Sequence, residues 1–196
     1  MNSKNIGIII LAAGGSTRFG SPKQLARLEG KSLIRSITEV AVSTGLKTLV
    51  VLGSQAEQIK SEISELEVSV LINNDWETGL SSSIKAGLLR MLELNPDASA
   101  IMLVLSDQPS ISKHTLENLA ASQIETGKPI VASSYSNIAG TPALFTKPLF
   151  PQLMKLEGDR GAKTLIEKHR DADVALVDAP EAEFDIDFQD DLERIN

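Results

Sequence analysis

The sequence predicts a three-layer α/β/α domain built on a mostly parallel sheet. Three observations carry that expectation. Short apolar runs alternate with segments of helical periodicity through the first two-thirds of the chain. The leading runs lack the in–out alternation of a half-exposed strand, as strands covered on both faces do. The 196 residues supply one substantial core and too little for two, which predicts a single domain over 1–196.

Residues 6–11, Ile-Gly-Ile-Ile-Ile-Leu, form the first predicted strand. Leu33, Ile34, Ile37, Val40, Ala41 and Thr44 then recur at helical spacing, with Ser32 as the expected N-cap. Residues 48–52 are a second strand ended by Gly53, 55–65 a helix and 68–72 a third strand. Ser81 or Ser82 is expected to cap a helix whose apolar face is Ile84, Leu88, Met91 and Leu92, stopped at Asn95-Pro96. Residues 101–105 form a fourth strand, and Ser112 starts a helix carrying Leu116, Leu119, Ala120 and Ile124. Residues 129–133 are a further strand. Beyond them the rhythm loosens, with short strands at 143–145 and 174–177 and helices at 148–155 and 162–169. Parallel neighbours joined by helices imply right-handed crossovers and helices on both faces.

Composition narrows the function classes. The net charge is -7, from 19 basic and 26 acidic side chains, so nucleic acid and membrane surfaces are poor partners. Local cations still allow a small anionic ligand. With no cysteine, disulfides, thiolate nucleophiles and zinc-thiolate sites are excluded, and a cytoplasmic location is expected. The longest apolar run, residues 6–13, falls well short of the ~20 residues that span a bilayer. It also lacks the flanks of a signal peptide.

The stretch richest in chemistry follows the first strand: Leu11, Ala12, Ala13, Gly14, Gly15, Ser16, Thr17, Arg18, Phe19, Gly20, Ser21, Pro22 and Lys23. It falls at the carboxyl edge of the sheet, where α/β folds bind ligands. Small residues let backbone N–H groups close on phosphate oxygens, and Arg18 and Lys23 add cations. Two familiar phosphate loops do not fit. Gly15 and Gly20 have Walker A spacing, but Ser21 stands where that motif has lysine, and the glycines miss the dinucleotide-binding pattern.

This stretch resembles the signature of the MobA-like nucleotidyltransferases, which open with Leu-Ala-(Ala/Gly)-Gly followed by Arg, Gly and Lys. Its Leu-Ala-Ala-Gly form with Pro-Lys-Gln-Leu is similar to the MocA branch, the molybdenum cofactor cytidylyltransferases. The GTP-using guanylyltransferases usually show Leu-Ala-Gly-Gly. The resemblance covers most of the chain and implies a Rossmann-like nucleotidyltransferase fold. Trp76-Glu77-Thr78-Gly79-Leu80-Ser81-Ser82-Ser83 resembles the family segment that faces nucleobase and ribose, which implies nucleotide contacts at Gly79, Ser81 and Ser82 as well as Leu11, Ala12, Ala13, Gly14, Gly15 and Lys23. Read without the family, the serines fit an ordinary capped helix, and Trp76 fits core or hinge packing better than ligand stacking.

Ser106-Asp107-Gln108-Pro109 resembles the family's Asp-Gln-Pro motif, whose aspartate binds Mg²⁺. Taken alone, Asp107 fits an Asx turn before a proline equally well. Phe184-Asp185-Ile186-Asp187-Phe188-Gln189-Asp190-Asp191-Leu192 is similar to the family's Asp-(Ile/Val)-Asp-Thr-Pro-Glu-Asp-Leu. Asp185, Asp187 or both would then supply the second metal ligand, although Phe188-Gln189 replaces Thr-Pro. The other reading is a solvated acidic tail. Two more likenesses, residues 140–145 and the loop at 158–163 with Arg160 and Lys163, are expected on the acceptor side. The residues before Gly140 are less basic here than in the family. His114 and His169, inside predicted helices, are expected to be structural or solvated.

The resemblance implies attack by an acceptor phosphate on the α-phosphorus of CTP, with Arg18, Lys23 and Asp107 as the catalytic residues and Mg²⁺ on Asp107, Asp185 and Asp187. A phosphate monoester is largely anionic near neutrality, its second pKa being about 6, so no general base is required. The implied substrates are CTP and the molybdenum cofactor, and the implied protein partner is a molybdoenzyme or its chaperone. The competing enzyme readings are a guanylyltransferase of the same pathway and a transferase acting on sugar or alcohol phosphates. A non-catalytic cofactor-binding chaperone is the rival from another class.

Overall fold

The computed structural model describes residues 5–16, 19–170 and 172–194. Strand β1 (Ile6–Ala12) is followed by a two-residue hairpin, β2 (Arg27–Leu28) and β3 (Lys31–Ser32), then α1 (Leu33–Ser43), β4 (Lys47–Leu52), α2 (Ala56–Glu62), β5 (Ser69–Ile72), α3 (Leu80–Leu94) and β6 (Ala100–Leu105). The rest comprises α4 (Lys113–Thr126), β7 (Ile130–Tyr135), β8 (Ile138–Thr146), α5 (Phe150–Leu153), α6 (Ala162–His169) and β9 (Val174–Asp178). Seven strands form one sheet in the order β5-β4-β1-β6-β8-β7-β9. Only β8 opposes its neighbours; the other pairings are parallel. The three-layer α/β expectation holds.

Strand β1 is buried along its whole length, as its unbroken apolar run requires. Side-chain alternation splits it between two cores. Ile6, Ile8 and Ile10 join Ile34 and Ile37 of α1, Ile59 of α2 and Leu116 and Leu119 of α4 on one face. Ile9 and Leu11 meet Ile84, Leu88 and Met91 of α3, Leu153 of α5 and Ile166 of α6 on the other. Burying such side chains is worth about 1.5–3 kcal/mol each, so this central strand anchors both layers.

Local signals behave as the sequence predicts at two helix starts. The Ser32 hydroxyl accepts from the Arg35 N–H at 3.4 Å, and Ser112 with Thr115 forms a capping box ahead of α4. Three details differ. Neither Ser81 nor Ser82 caps α3: Gly79 occupies the N-cap position at φ 107°. The predicted strand at 143–145 is the end of a longer one, Ile138–Thr146, whose turn places Ser136 and Asn137 at φ 43° and 64°. The helix predicted at 148–155 is a 3₁₀ turn at Lys147–Leu149 running into one short helical turn. Among the described residues no helix is long and apolar enough to cross a membrane.

Candidate active site

The carboxyl edges of β1 and β6 open into a cleft of about 380 Å³, lined by Leu11, Ala12, Ala13, Gly14, Gly15, Lys23 and Asp107 and by Trp76, Gly79 and Ser83. The turn after β1 is held in shape by a residue that the motif comparison carried along without a role. Gln24, 2% exposed, donates its amide to the carbonyls of Ala12 and Gly14 at 3.1 and 3.0 Å. The Ser16 hydroxyl donates to the Gln24 side-chain oxygen at 3.2 Å and accepts from the Lys23 N–H at 3.1 Å. These bonds satisfy carbonyls that the end of β1 leaves unpaired. They also fold the chain back so that Lys23 returns to the cleft.

Gly15 sits under Trp76: a Cβ there would lie 3.0 Å from the indole ring. Trp76 also lies over Gly53 at the end of β4, so it serves as a packed wall of the cleft. Its neighbour Gly79 has a stricter requirement. Its φ and ψ of 107° and 173° belong to a region that only glycine visits readily, and a Cβ would stand 2.4 Å from the Gly158 carbonyl carbon.

In the cleft the Lys23 ammonium contacts Asp107 at 2.5 Å and Asp187 at 3.2 Å. Asp107 arrives from the end of β6, and Asp187 from the segment before the C-terminal 3₁₀ turn, Gln189–Arg194. The Ile186 N–H donates to the Asp107 carbonyl at 2.9 Å, tying the two segments together. Ile186 itself is fully buried in a small core with Phe19 and Leu33, so the residues flanking it, Asp185 and Asp187, stay outside that core. Asp191 caps this turn: its carboxylate accepts from the Asp187 and Phe188 N–H groups at 3.0 and 2.8 Å. The replacement of Thr-Pro by Phe188-Gln189 therefore leaves the turn capped.

Charge is unevenly matched here. Burial alone would lower the Lys23 pKa, but the negative charge and hydrogen bond of Asp107, then those of Asp187, outweigh it and raise the pKa above its ordinary value. Asp185 is pushed up to about 6, first by the protein mass around it and then by the negative charges of Asp107 and Asp187. One oxygen of Asp107, Oδ1, is buried and accepts no hydrogen bond among the described residues. Among the described residues no three acidic or histidine side chains enclose an ion by themselves. One lysine thus faces more carboxylate among the described residues than it neutralises.

The sequence-predicted residues divide as follows. Leu11, Ala12, Ala13, Gly14, Gly15, Lys23, Gly79 and Asp107 all line the cleft. Asp187 meets Lys23, and Asp185 lies within electrostatic reach of Asp107. Arg18 lies outside the described residues. Ser81 and Ser82 are not among the residues lining this cleft: the Ser81 N–H bonds the Gly158 carbonyl at 3.0 Å and the Ser82 hydroxyl donates back to the Gly79 carbonyl at 2.8 Å. Ser83, one position further round the helix, lines the cleft instead. In the loop expected on the acceptor side, Gly158 packs on Gly79 and Asp159 lines the cleft. Arg160 and Lys163 are exposed, as is His114; His169 is held by Asp173 and Gln152 at 3.1 and 3.0 Å.

The family described as MobA-like NTP transferase domain matches residues 8–174, a span that starts in β1 and reaches β9. The chain belongs to this family. It is accordingly a nucleotidyltransferase with a MobA-like fold. A crystal structure of the Mycobacterium tuberculosis Rv0371c homologue from Mycobacterium sp. strain JC1 superposes with a TM-score of 0.84 at 31% identity, covering 100% of this chain and 96% of that one. Rv0371C of Mycobacterium tuberculosis H37Rv, solved in complex with manganese, gives 0.79 at 27% identity over 97% of each chain. Nicotine blue oxidoreductase of Paenarthrobacter nicotinovorans is 28% identical over 81% of this chain and 79% of its own length. The bifunctional protein GlmU of Buchnera aphidicola is 28% identical over 75% of this MobA-like chain, which spans 32% of GlmU.

Proposed function

We propose that this MobA-like protein is a Mg²⁺-dependent cytidylyltransferase of the MocA kind, transferring CMP from CTP to the terminal phosphate of the molybdenum cofactor with release of pyrophosphate. The observation that carries the reading is the meeting of Lys23, Asp107 and Asp187 at a glycine-turned cleft. The Leu-Ala-Ala-Gly form of the turn and the triple serine favour CTP over GTP.

The donor set fits a hard divalent cation. Such ions take carboxylate oxygens, few of them from protein in the case of Mg²⁺. The unpartnered Asp107 Oδ1, and the burial and then the neighbouring negative charge that raise Asp185, are what a bound cation would relieve. Asp107 with Asp185 or Asp187 would hold it, and the ion would supply charge neutralisation on the phosphate oxygens. The manganese complex of a relative agrees with that donor chemistry.

The chain's own residues do the rest by position and charge. Backbone groups of Ala13, Gly14 and Gly15 line the cleft without intervening side chains, where a triphosphate would lie. Lys23, held charged by its carboxylates, stands ready to balance negative charge on the α-phosphoryl and departing pyrophosphate. Arg18 is proposed as the second cation. An oxygen of the acceptor phosphate attacks the α-phosphorus while the bond to the bridging oxygen of pyrophosphate breaks. The acceptor is already anionic, so no side chain need take a proton.

The test is pyrophosphate release from purified protein with CTP, molybdenum cofactor and Mg²⁺, run beside GTP and beside sugar phosphates. Release with CTP and cofactor, lost in Asp107→Ala, is the expected result. Release with GTP alone would reassign the base, and release only with sugar phosphates would reassign the acceptor. No release with any acceptor would leave a cofactor-binding chaperone.

A further inference from the structure

We infer that Asn73 is a positioning residue that fixes Ser83 as a hydrogen-bond donor toward an acceptor atom on the nucleobase. The inference rests on the nucleotidyltransferase reading of the cleft and adds a determinant of base choice to it.

Asn73 closes β5 and is 6% exposed. Its backbone N–H bonds the Leu52 carbonyl at 2.8 Å, which fixes the residue beside the end of β4. The orientation of its side-chain amide follows from one bond. The backbone N–H of Asp75 points at one terminal atom from 3.1 Å, and an N–H needs an acceptor, so that atom is the oxygen. The other terminal atom is therefore the NH₂ group. It donates to the hydroxyl oxygens of Ser82 and Ser83 at 2.9 and 3.1 Å.

The polarity of both serines is then set. Each hydroxyl accepts from Asn73, and each has one hydrogen to give. Ser82 gives its hydrogen to the Gly79 carbonyl at 2.8 Å. Among the described residues the Ser83 hydroxyl has no acceptor for its hydrogen, although Ser83 is only 3% exposed and lines the cleft. A buried donor without a partner is costly. A ligand atom is the natural acceptor. The proposed function gives Lys23, Asp107 and the turn at 13–15 to the phosphates; Ser83 lines the same cleft from a different segment, so the atom it reads is assigned to the base end of a nucleotide.

The isosteric substitution Asn73→Asp tests the polarity directly. A carboxylate still accepts from the Asp75 N–H but has nothing to donate, so Ser83 must turn its hydrogen toward residue 73 and offer a lone pair to the cleft. Equilibrium binding of CTP, UTP, GTP and ATP with Mg²⁺, together with kcat and KM for any that react, is the readout. The expected result is a fall of about tenfold or more in the preference for the favoured base, carried by KM and Kd rather than kcat, with binding of inorganic tripolyphosphate unchanged. Ser83→Ala, which leaves Asn73 bonded to Ser82, should reduce the same preference and covers the case in which Asn73→Asp fails to fold. Equal weakening of all four nucleotides, or an unaltered ranking, overturns the inference. Native protein that binds nucleotides but transfers none strikes the proposed reaction, while the binding order still decides the role of Asn73.

Discussion

At one end of the cleft, charged side chains converge from segments as much as 164 residues apart: Lys23, Asp107 and Asp187. At the other end, one continuous stretch from Asn73 to Ser83 builds a wall from backbone, hydroxyls and an indole. The first end depends on the sheet to bring its parts together and holds more negative charge than its lysine cancels. The second depends on local backbone geometry, and among the described residues its Ser83 hydroxyl hydrogen has no acceptor. The difference separates rate from selectivity. On the proposed function, groups at the charged end would meet atoms whose charge changes in the reaction, so losing one should appear in turnover. Groups at the wall would meet parts of the ligand that stay the same throughout, so losing one should appear in binding.

The largest effect is expected at Asp107. Replacing it with alanine removes the carboxylate with the unpartnered oxygen and leaves Lys23 with Asp187 alone, while the Ile186 N–H keeps its carbonyl partner. Pyrophosphate release should fall by about 10³-fold with little loss of thermal stability. Retention of a tenth of the native rate would dissolve the charged end as a catalytic unit. Lys23→Ala comes next, with kcat lowered by about 10²-fold and CTP affinity changed far less. A variant that merely loosened CTP, at unchanged turnover, would move Lys23 to the binding side of the comparison.

The wall is probed best through its backbone. Gly79→Ala places a side chain at φ 107° and against the Gly158 carbonyl. The strain and the displaced loop should cost about 2 kcal/mol in unfolding free energy. KM should rise in parallel, because the loop carrying Asp159 would shift from the cleft wall. Chemical denaturation and steady-state kinetics on one preparation check both. An unaffected KM would detach the 158–161 loop from the nucleotide site.

The layered sheet was legible because each signal is local. Apolar runs, helical spacing and the Ser32 and Ser112 caps each act within a few residues. The turn after β1 and Asp107 were legible for a related reason, since strand ends in a parallel sheet must face the same edge. Ser83 was not, because which of three adjacent serines faces the cleft depends on where α3 begins, and Gly79 set that start in place of a serine. Gln24 and Asn73 were hidden for another reason. Their partners are carbonyls and hydroxyls of other segments, and an amide side chain in sequence carries no sign of what it will meet. The reversal of β8 was missed because a short apolar segment does not encode its direction; the turn at Ser136 and Asn137 does.

The smallest expected effect sharpens the comparison from the charged end. Asp185 has a folded pKa of about 6 against a usual value of 3.8, so the folded protein holds its proton more tightly than the unfolded chain does. For an acid with a raised pKa, the stabilising contribution is fully present below 3.8 and is lost as pH rises through about 6. Asp185→Asn removes the carboxylate that becomes unfavourable. In metal-free buffer the variant should melt with the native protein at pH 4 and slightly above it at pH 7, the gap staying small because Asp185 keeps solvent contact. Saturating Mg²⁺ should shrink or invert that gap, since the native carboxylates gain a cation that asparagine holds poorly. A variant less stable than the native protein at pH 7 without metal would mean that the carboxylates around Lys23 do not crowd one another, and the surplus negative charge assigned to this end of the cleft would be gone.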